Sequence, residues 1–228
     1  MRINESGAEK MKLFKKNYES KNILFYGDSN TWGFDPSTGL RYPYEERWTT
    51  VCADLLGKGY NCIPAGMNGR TTVFDDPLKG CRNGIKGLDY ELQTNKPLDL
   101  FVLMLGTNDL KYTDAEGSAH GIEKIVSNVL SANERFNLSS PVFPKGARIL
   151  LISPVHCHTD ISETGEHDAR AESIKLSGNW KEIAEKYRLD FLDAAKITEP
   201  SSVDGVHLSP EGHQKLGHAA ARKITSLL

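Results

Sequence analysis

Ile23-Leu24-Phe25-Tyr26-Gly27-Asp28-Ser29-Asn30-Thr31-Trp32-Gly33 is the stretch on which the reading of this chain turns. A short, continuous apolar run that stops at glycine is what a strand covered on both faces produces, because both side-chain directions then meet core. The serine that follows is delivered onto the loop at the strand's carboxyl end. Its hydroxyl is a poor nucleophile until a base removes the proton. It becomes chemically useful only if the rest of the chain supplies that base, a group to orient it, and donors for an oxyanion.

Four more runs are short and nearly continuous rather than alternating: Tyr60–Pro64, Leu100–Leu105, Ile149–Ile152 and Leu189–Leu192. Helical periodicity fills the intervals. Trp48, Val51, Cys52, Leu55 and Leu56 share one stripe. Ile122, Ile125, Val126, Val129 and Leu130 share a second, behind a cap expected at Ser118. Leu176, Trp180, Ile183, Ala184 and Tyr187 make a third. The last helix opens at Ser209-Pro210-Glu211 with a capping hydroxyl, Pro at the first helical position and an acid in the first turn. Strands alternating with helices predict right-handed crossovers and a three-layer α/β sandwich. Residues 66–86 and 154–168 lack periodicity and are expected as long loops at the carboxyl ends of strands, where open parallel sheets gather their ligands.

The 228 residues, 39% of them apolar, suit one domain with a substantial core. Residues 1–20 are read as a loosely packed N-terminal extension of it. With 28 Lys plus Arg against 30 Asp plus Glu, the formal charge is −2, which gives no reason to expect nucleic acid or a membrane as partner. No run approaches the roughly 20 apolar residues of a bilayer span. The polar start, Met1 to Lys21, lacks a secretory apolar segment and reads as cytoplasmic. The cysteines at 52, 62, 81 and 157 form no Cys-x-x-Cys pair and are read as buried free thiols.

Three further pieces could complete a site around Ser29. Gly66-Met67-Asn68-Gly69-Arg70-Thr71-Thr72 follows the second apolar run, and glycine there lets a main-chain N–H approach a ligand. Gly106-Thr107-Asn108-Asp109 ends the third run and offers an amide N–H₂ as a further donor. Asp204-Gly205-Val206-His207 stands ahead of the last helix. An aspartate three residues before a histidine in one tight loop can accept from Nδ1–H and leave Nε2 free to take a serine's proton.

In this order and spacing the pieces resemble the four sequence blocks of the SGNH hydrolases, the esterase and lipase superfamily also called GDSL, across essentially the whole chain. Residues 27–33, 66–72 and 104–109 are most similar to the branch containing the mycobacterial arylesterase and acyltransferase. The resemblance implies a flavodoxin-like α/β/α sandwich on a five-stranded parallel sheet, in agreement with the five apolar runs. It implies Ser29 as nucleophile, His207 as general base and Asp204 as its orienting partner. The oxyanion hole would comprise the N–H of Ser29, the N–H of Gly69 and the side-chain amide of Asn108. The implied activity is a serine esterase cleaving short acyl, acetyl or aryl esters through an acyl-enzyme. Water or an alcohol would be the acceptor, with acyltransferase side activity, and no cofactor and no metal are expected. Relatives of this type often associate, so a homo-oligomer is left open. One departure is Asn30, where the family's name-giving motif has Leu, and this is read as a change at the pocket rim.

Trp32 and Phe34 are candidates for lining the pocket, beside Asn30. Arg70 is a candidate for touching an acidic substrate group, against the plainer reading of a solvated arginine. Asp28 and Asp109 are expected to order the loops through backbone amides. His156, Cys157, His158, His167 and Asp168 show no firm metal-ligand spacing and are read as a pocket-edge or surface loop. His120, His213 and His218 are read as surface residues. Within the superfamily a carbohydrate acetylesterase and a thioesterase or lysophospholipase stay open. A non-catalytic binding module would lack one of the site positions, and none is missing. A phosphoryl-transfer domain would need more strand-end acids than the partial match of Asp109 and Lys111 provides. Substrate choice is expected to lie in the loops around 34–44, 73–90 and 154–168.

Overall fold

Each of the five apolar runs forms a strand: β1 (Lys21–Gly27), β2 (Tyr60–Gly66), β3 (Leu100–Met104), β4 (Ile149–Ser153) and β5 (Asp190–Asp193). The computed structural model describes residues 20–136 and 139–228. The extension expected at 1–20 therefore falls, apart from Ser20, outside the described residues. All strand pairs are parallel, in the order β2-β1-β3-β4-β5. The continuous apolar runs are explained by two cores. Leu24, Tyr26, Phe101, Leu103 and Leu151 point to one face, while Ile23, Phe25, Val102, Leu150 and Ile152 point to the other.

Helices α1 (Ser29–Trp32), α2 (Trp48–Leu56), α3 (Gly84–Asn95), α4 (Ala115–Leu130), α5 (Ala132–Phe136), α6 (Ala169–Tyr187) and α7 (Pro210–Leu227) complete the layers. The first face is covered by Leu88 and Leu92 of α3, the Ile122–Val129 stripe of α4, and Leu176, Trp180 and Ile183 of α6. The second is covered by Trp48 and Cys52 of α2 with Leu216, Ala220 and Ile224 of α7. The capped start of α7 is as the sequence predicts, with Ser209 Oγ accepting from Gly212 N–H at 3.1 Å.

Two local expectations are corrected. Helix α4 is capped by Asp114, whose Oδ1 accepts from Gly117 N–H at 2.9 Å, one turn before Ser118. Ser118 is buried instead, and its hydroxyl donates to Asp109 Oδ2 at 2.8 Å. Residues 84–90, expected in a loop, begin α3. Its two glycines and short inward stripe of Gly84, Leu88 and Leu92 weaken the periodic signal without preventing the helix.

The chain steps outward from β1 to β2 and then returns to β1's other side as β3. Strand order thus reverses beside β1, so the loops leaving β1 and β3 flank the crevice typical of such sheets. β1 and β2 end level, with Gly27 opposite Gly66, and α1 lies directly on that end. A Cβ on Gly66 would sit 2.1 Å from Trp32 N and 2.5 Å from Thr31 C, both backbone atoms that cannot swing aside. Gly66→Ala is therefore expected to cost about 3 kcal/mol or more through overpacking, read as a lowered urea midpoint. A change within a few tenths would contradict the contact.

Candidate active site

Asp28 directly follows β1 and caps α1, its Oδ1 accepting from Asn30 N–H at 2.9 Å. This turn sets Ser29 at the sheet edge, 7% exposed. The serine hydroxyl lies 2.9 Å from His207 Nε2, a residue 178 positions later. The other ring nitrogen, Nδ1, lies 2.5 Å from Asp204 Oδ2. An ionised carboxylate only accepts, so Nδ1 carries the ring proton and Nε2 presents a lone pair to the hydroxyl. Burial pushes Asp204 up, but hydrogen bonds from the His207 ring and from the His207 and Val206 N–H groups outweigh it and hold the carboxyl below its ordinary range. Ser29, His207 and Asp204 form one hydrogen-bonded line able to move a proton off the serine.

The residues expected to supply oxyanion donors line the same cavity as that hydroxyl. Gly69 has φ +72°, a left-handed conformation natural to glycine. Asn108 donates one amide N–H to Arg70 O at 3.2 Å, which fixes the amide plane and leaves the second N–H to act elsewhere. Ser29, Gly69, Asn108 and His207 line one open cavity of about 190 Å³ together with Phe34, Asn68, Asp76, Lys79, Arg82 and Lys111. Phe34 packs on the His207 ring with centroids 4.4 Å apart.

The other expected pocket residues lie elsewhere. Asn30 is buried rather than at the rim; its Oδ1 accepts from Leu208 N–H at 2.9 Å and its Nδ2 donates to Val206 O at 3.3 Å. It thus grips the backbone on both sides of His207, a task leucine has no polar atoms for. Trp32 does not line the cavity: the Arg41 guanidinium stacks on its ring at 4.9 Å and Arg41 Nε donates to Trp32 O at 2.7 Å. Arg70 is neither in the cavity nor solvated. It is 6% exposed, lies 4.0 Å over the Tyr26 ring, and donates from Nη1 to Gly27 O and to Ala65 O, tying together the ends of β1 and β2.

His213 is likewise buried, not on the surface. Its Nδ1 accepts from Trp48 N–H at 3.2 Å and so caps α2 from α7, while burial pushes its pKa down to about 4. His120 and His218 are exposed. Residues of the 154–168 loop separate: Asp168 caps α6, His167 Nε2 bonds Leu110 O at 2.8 Å, and Cys157 is buried. Among the described residues no group of three or more metal-ligating side chains converges. All four cysteines are free; Cys52 and Cys157 are buried as expected, but Cys62 is only partly buried and Cys81 is exposed. No described helix is long and apolar enough to cross a membrane.

A parallel sheet carrying a Ser-His-Asp line at its carboxyl end, beside a cavity that Gly69 and Asn108 also line, is the architecture of α/β/α ester hydrolases. Residues 25–215 match the GDSL-like lipase/acylhydrolase family, and the chain belongs to it; it is a carboxylic ester hydrolase. Among solved structures it is similar to a carbohydrate acetylesterase from Sinorhizobium meliloti, 35% identical over 92% of this chain and 100% of that one, with TM-score 0.83. It is similar also to the M. smegmatis aryl esterase, 31% identical over 92% of this chain and 100% of that one, with TM-score 0.83. A multidomain esterase from Ruminococcus flavefaciens is 23% identical over 90% of this chain, which spans only 28% of that protein's length.

Two buried carboxyls underlie the site. Burial pushes Asp28 up to about 7, against the Asn30 N–H bond and the Arg70 charge, which pull it down. Burial pushes Asp109 up to about 6, although it accepts from Thr72 N–H, Thr72 Oγ and Ser118 Oγ. A carboxyl whose pKa is raised by folding holds its proton in the native state while the unfolded chain has lost it. Stability therefore falls as pH rises from the ordinary carboxyl value of 3.8 to the folded value of about 7, then levels. Asp28→Asn keeps an acceptor for Asn30 N–H and removes this term. Its Tm relative to the parent should rise by several degrees between about pH 4 and pH 7; a pH-independent difference would show that Asp28 is not protonated by burial.

Proposed function

We propose that this hydrolase cleaves small carboxylic esters through an acyl-enzyme on Ser29. The observation that carries the reading is the continuous line from Ser29 Oγ to His207 Nε2 at 2.9 Å and from His207 Nδ1 to Asp204 Oδ2 at 2.5 Å. In the proposed cycle Ser29 Oγ attacks the ester carbonyl as His207 takes its proton. The tetrahedral oxyanion is met by the N–H groups of Ser29 and Gly69 and the free amide N–H of Asn108. His207 returns the proton to the departing alkoxide, leaving an acyl-Ser29 ester. Water then attacks the acyl carbon as His207 takes its proton. The bond to Ser29 Oγ breaks as His207 returns that proton to Oγ, and the carboxylic acid leaves, losing its own proton to solvent. Asp204 keeps its negative charge throughout and stabilises the imidazolium formed in each half. An alcohol in place of water would give acyl transfer as a side activity.

The cavity of about 190 Å³ supports short acyl groups, acetyl and aryl esters among them, over long chains. That volume lies below the usual range of roughly 300–1,000 Å³ for pockets that enclose larger ligands. The similarity to a carbohydrate acetylesterase supports sugar acetates as a second substrate class for this same chemistry.

A fluorophosphonate probe is expected to label Ser29 in the folded protein, and Ser29→Ala and His207→Ala to abolish labelling. Hydrolysis of 4-nitrophenyl acetate should fall by at least 10³-fold in either variant, and Asn108→Ala should lower kcat by about 10²–10³ with little change in KM. Folded protein that neither labels nor turns over this ester would defeat the reading. Across chain lengths, kcat/KM should decline from acetyl toward palmitoyl.

A further inference from the structure

The rim of the active-site cavity carries more positive charge than ester hydrolysis requires. Arg82, Lys79 and Lys111 line it against one lining carboxylate, Asp76. Asp76 is engaged by the chain itself, its Oδ1 accepting from Leu78 and Lys79 N–H, each at 2.9 Å. Lys111 meets Glu163 only at 3.8 Å, and that carboxylate is half exposed. Among the described residues no carboxylate oxygen lies within 4.0 Å of Arg82 or Lys79. Asp76 stays ionised and lies near Lys79, and Lys111 has Glu163. The rim therefore keeps a local excess of positive charge centred on Arg82, although the protein as a whole has a net charge of −2.

Arg82 is the best placed of them. A methyl group added to Gly69 would lie 2.6 Å from Arg82 Nη1 and 3.1 Å from its Cζ, so the guanidinium lies against Gly69. Its main chain is fixed to the same segment, with Thr71 N–H donating to Arg82 O at 2.9 Å. The flanking Asn83 donates to Val73 O at 2.7 Å, which closes the loop that carries Lys79. A guanidinium held beside a proposed oxyanion donor presents a fork of N–H groups that matches a carboxylate.

We propose that Arg82, with Lys79 and Lys111, forms an anion-binding rim, and that the preferred substrates are esters that also carry a carboxylate. The proposal deepens the serine-esterase reading and rests on it. The excess positive charge at Arg82 attracts an anionic ester to the cavity that Ser29 also lines. The carboxylate could belong to the acyl group or to the alcohol, and paired substrates separate the two.

The test compares kcat/KM for mono-4-nitrophenyl adipate with 4-nitrophenyl hexanoate, and for 5-acetoxy-2-nitrobenzoate with 4-nitrophenyl acetate, each corrected for spontaneous hydrolysis. In at least one pair the anionic ester should be favoured about tenfold or more at low salt, the advantage shrinking toward unity at about 0.5 M NaCl as screening sets in. The favoured pair identifies the side that carries the charge. Arg82→Gln should lower the anionic-to-neutral ratio about tenfold and Arg82→Lys by less. Lys124→Gln, on the exposed side of α4 away from the cavity, should leave the ratio unchanged. Turnover of the neutral esters with a ratio at or below one in both pairs overturns the rim while leaving the serine-esterase reading intact. Absence of turnover for all four esters overturns that reading and the rim with it.

Discussion

Everything proposed for this site depends on holding the His207 ring over Ser29 although 178 residues separate them. One hydrogen bond between the two side chains cannot do that alone, because a loop free to drift by an ångström loses the alignment that makes proton transfer fast. The backbone around His207 is instead fixed on several sides. Ser201 N–H donates to His207 O at 2.6 Å, Gly205 N–H to Ser201 O at 2.8 Å, and His158 N–H to Gly205 O at 2.7 Å. Asn30, the residue after the serine, completes the arrangement by bonding the main chain at Val206 and Leu208. Serine and imidazole therefore ride on backbone segments bolted to each other, and their geometry no longer depends on the long path between them.

The sheet end beneath is built with buried charge where a simpler design would use packing. Arg70 bridges carbonyls at the ends of β1 and β2 while lying on Tyr26. Tyr26 in turn donates to Gly84 O at 2.6 Å, joining β1 to the first residue of α3. Asp109 holds the Thr72 backbone and the Ser118 hydroxyl at once, connecting the segment after β2 to the turn after β3 and to α4. Each bond satisfies a group that would otherwise be costly to bury. Together they fix the loops bearing Gly69 and Asn108 to the scaffold, so the proposed donors are in place before any substrate arrives.

How far this could be read from sequence follows from which forces were local. The three inner strands were legible because each feeds two apolar cores and so appears as an unbroken run. The half-buried edge strands β2 and β5 kept enough apolar residues around Asn61 and Asp190 to be read. The start of α7 was legible because its cap, proline and acid are contiguous. Ser29, Asp204 and His207 could be singled out because each stands in a short motif beside a strand or helix boundary. Residues whose role is set by a distant partner were not legible. Arg70 and His213 are residue types normally found in water, and only the carbonyls at the strand ends and the unfilled start of α2 explain their burial. Asn30 looked like a rim residue because its partners lie 176 and 178 positions away. Helix α3 was missed because its glycines hid a stripe that tertiary contacts with the sheet suffice to stabilise.

The same distinction separates the chemistry of this protein from its selectivity. The groups proposed to make and break bonds sit on turns whose backbone is dictated by buried contacts. Lys79 and Arg82 sit on the loop between β2 and α3, tied by Thr71, Asn83 and Asp75 but not packed into either core. Their side chains can change without disturbing the backbone bonds that hold the loop, since those bonds come from main-chain atoms and from other residues. Substrate preference can therefore shift through surface charge on this one segment while the proton-transfer line stays fixed, which is how one scaffold comes to serve esters of quite different character.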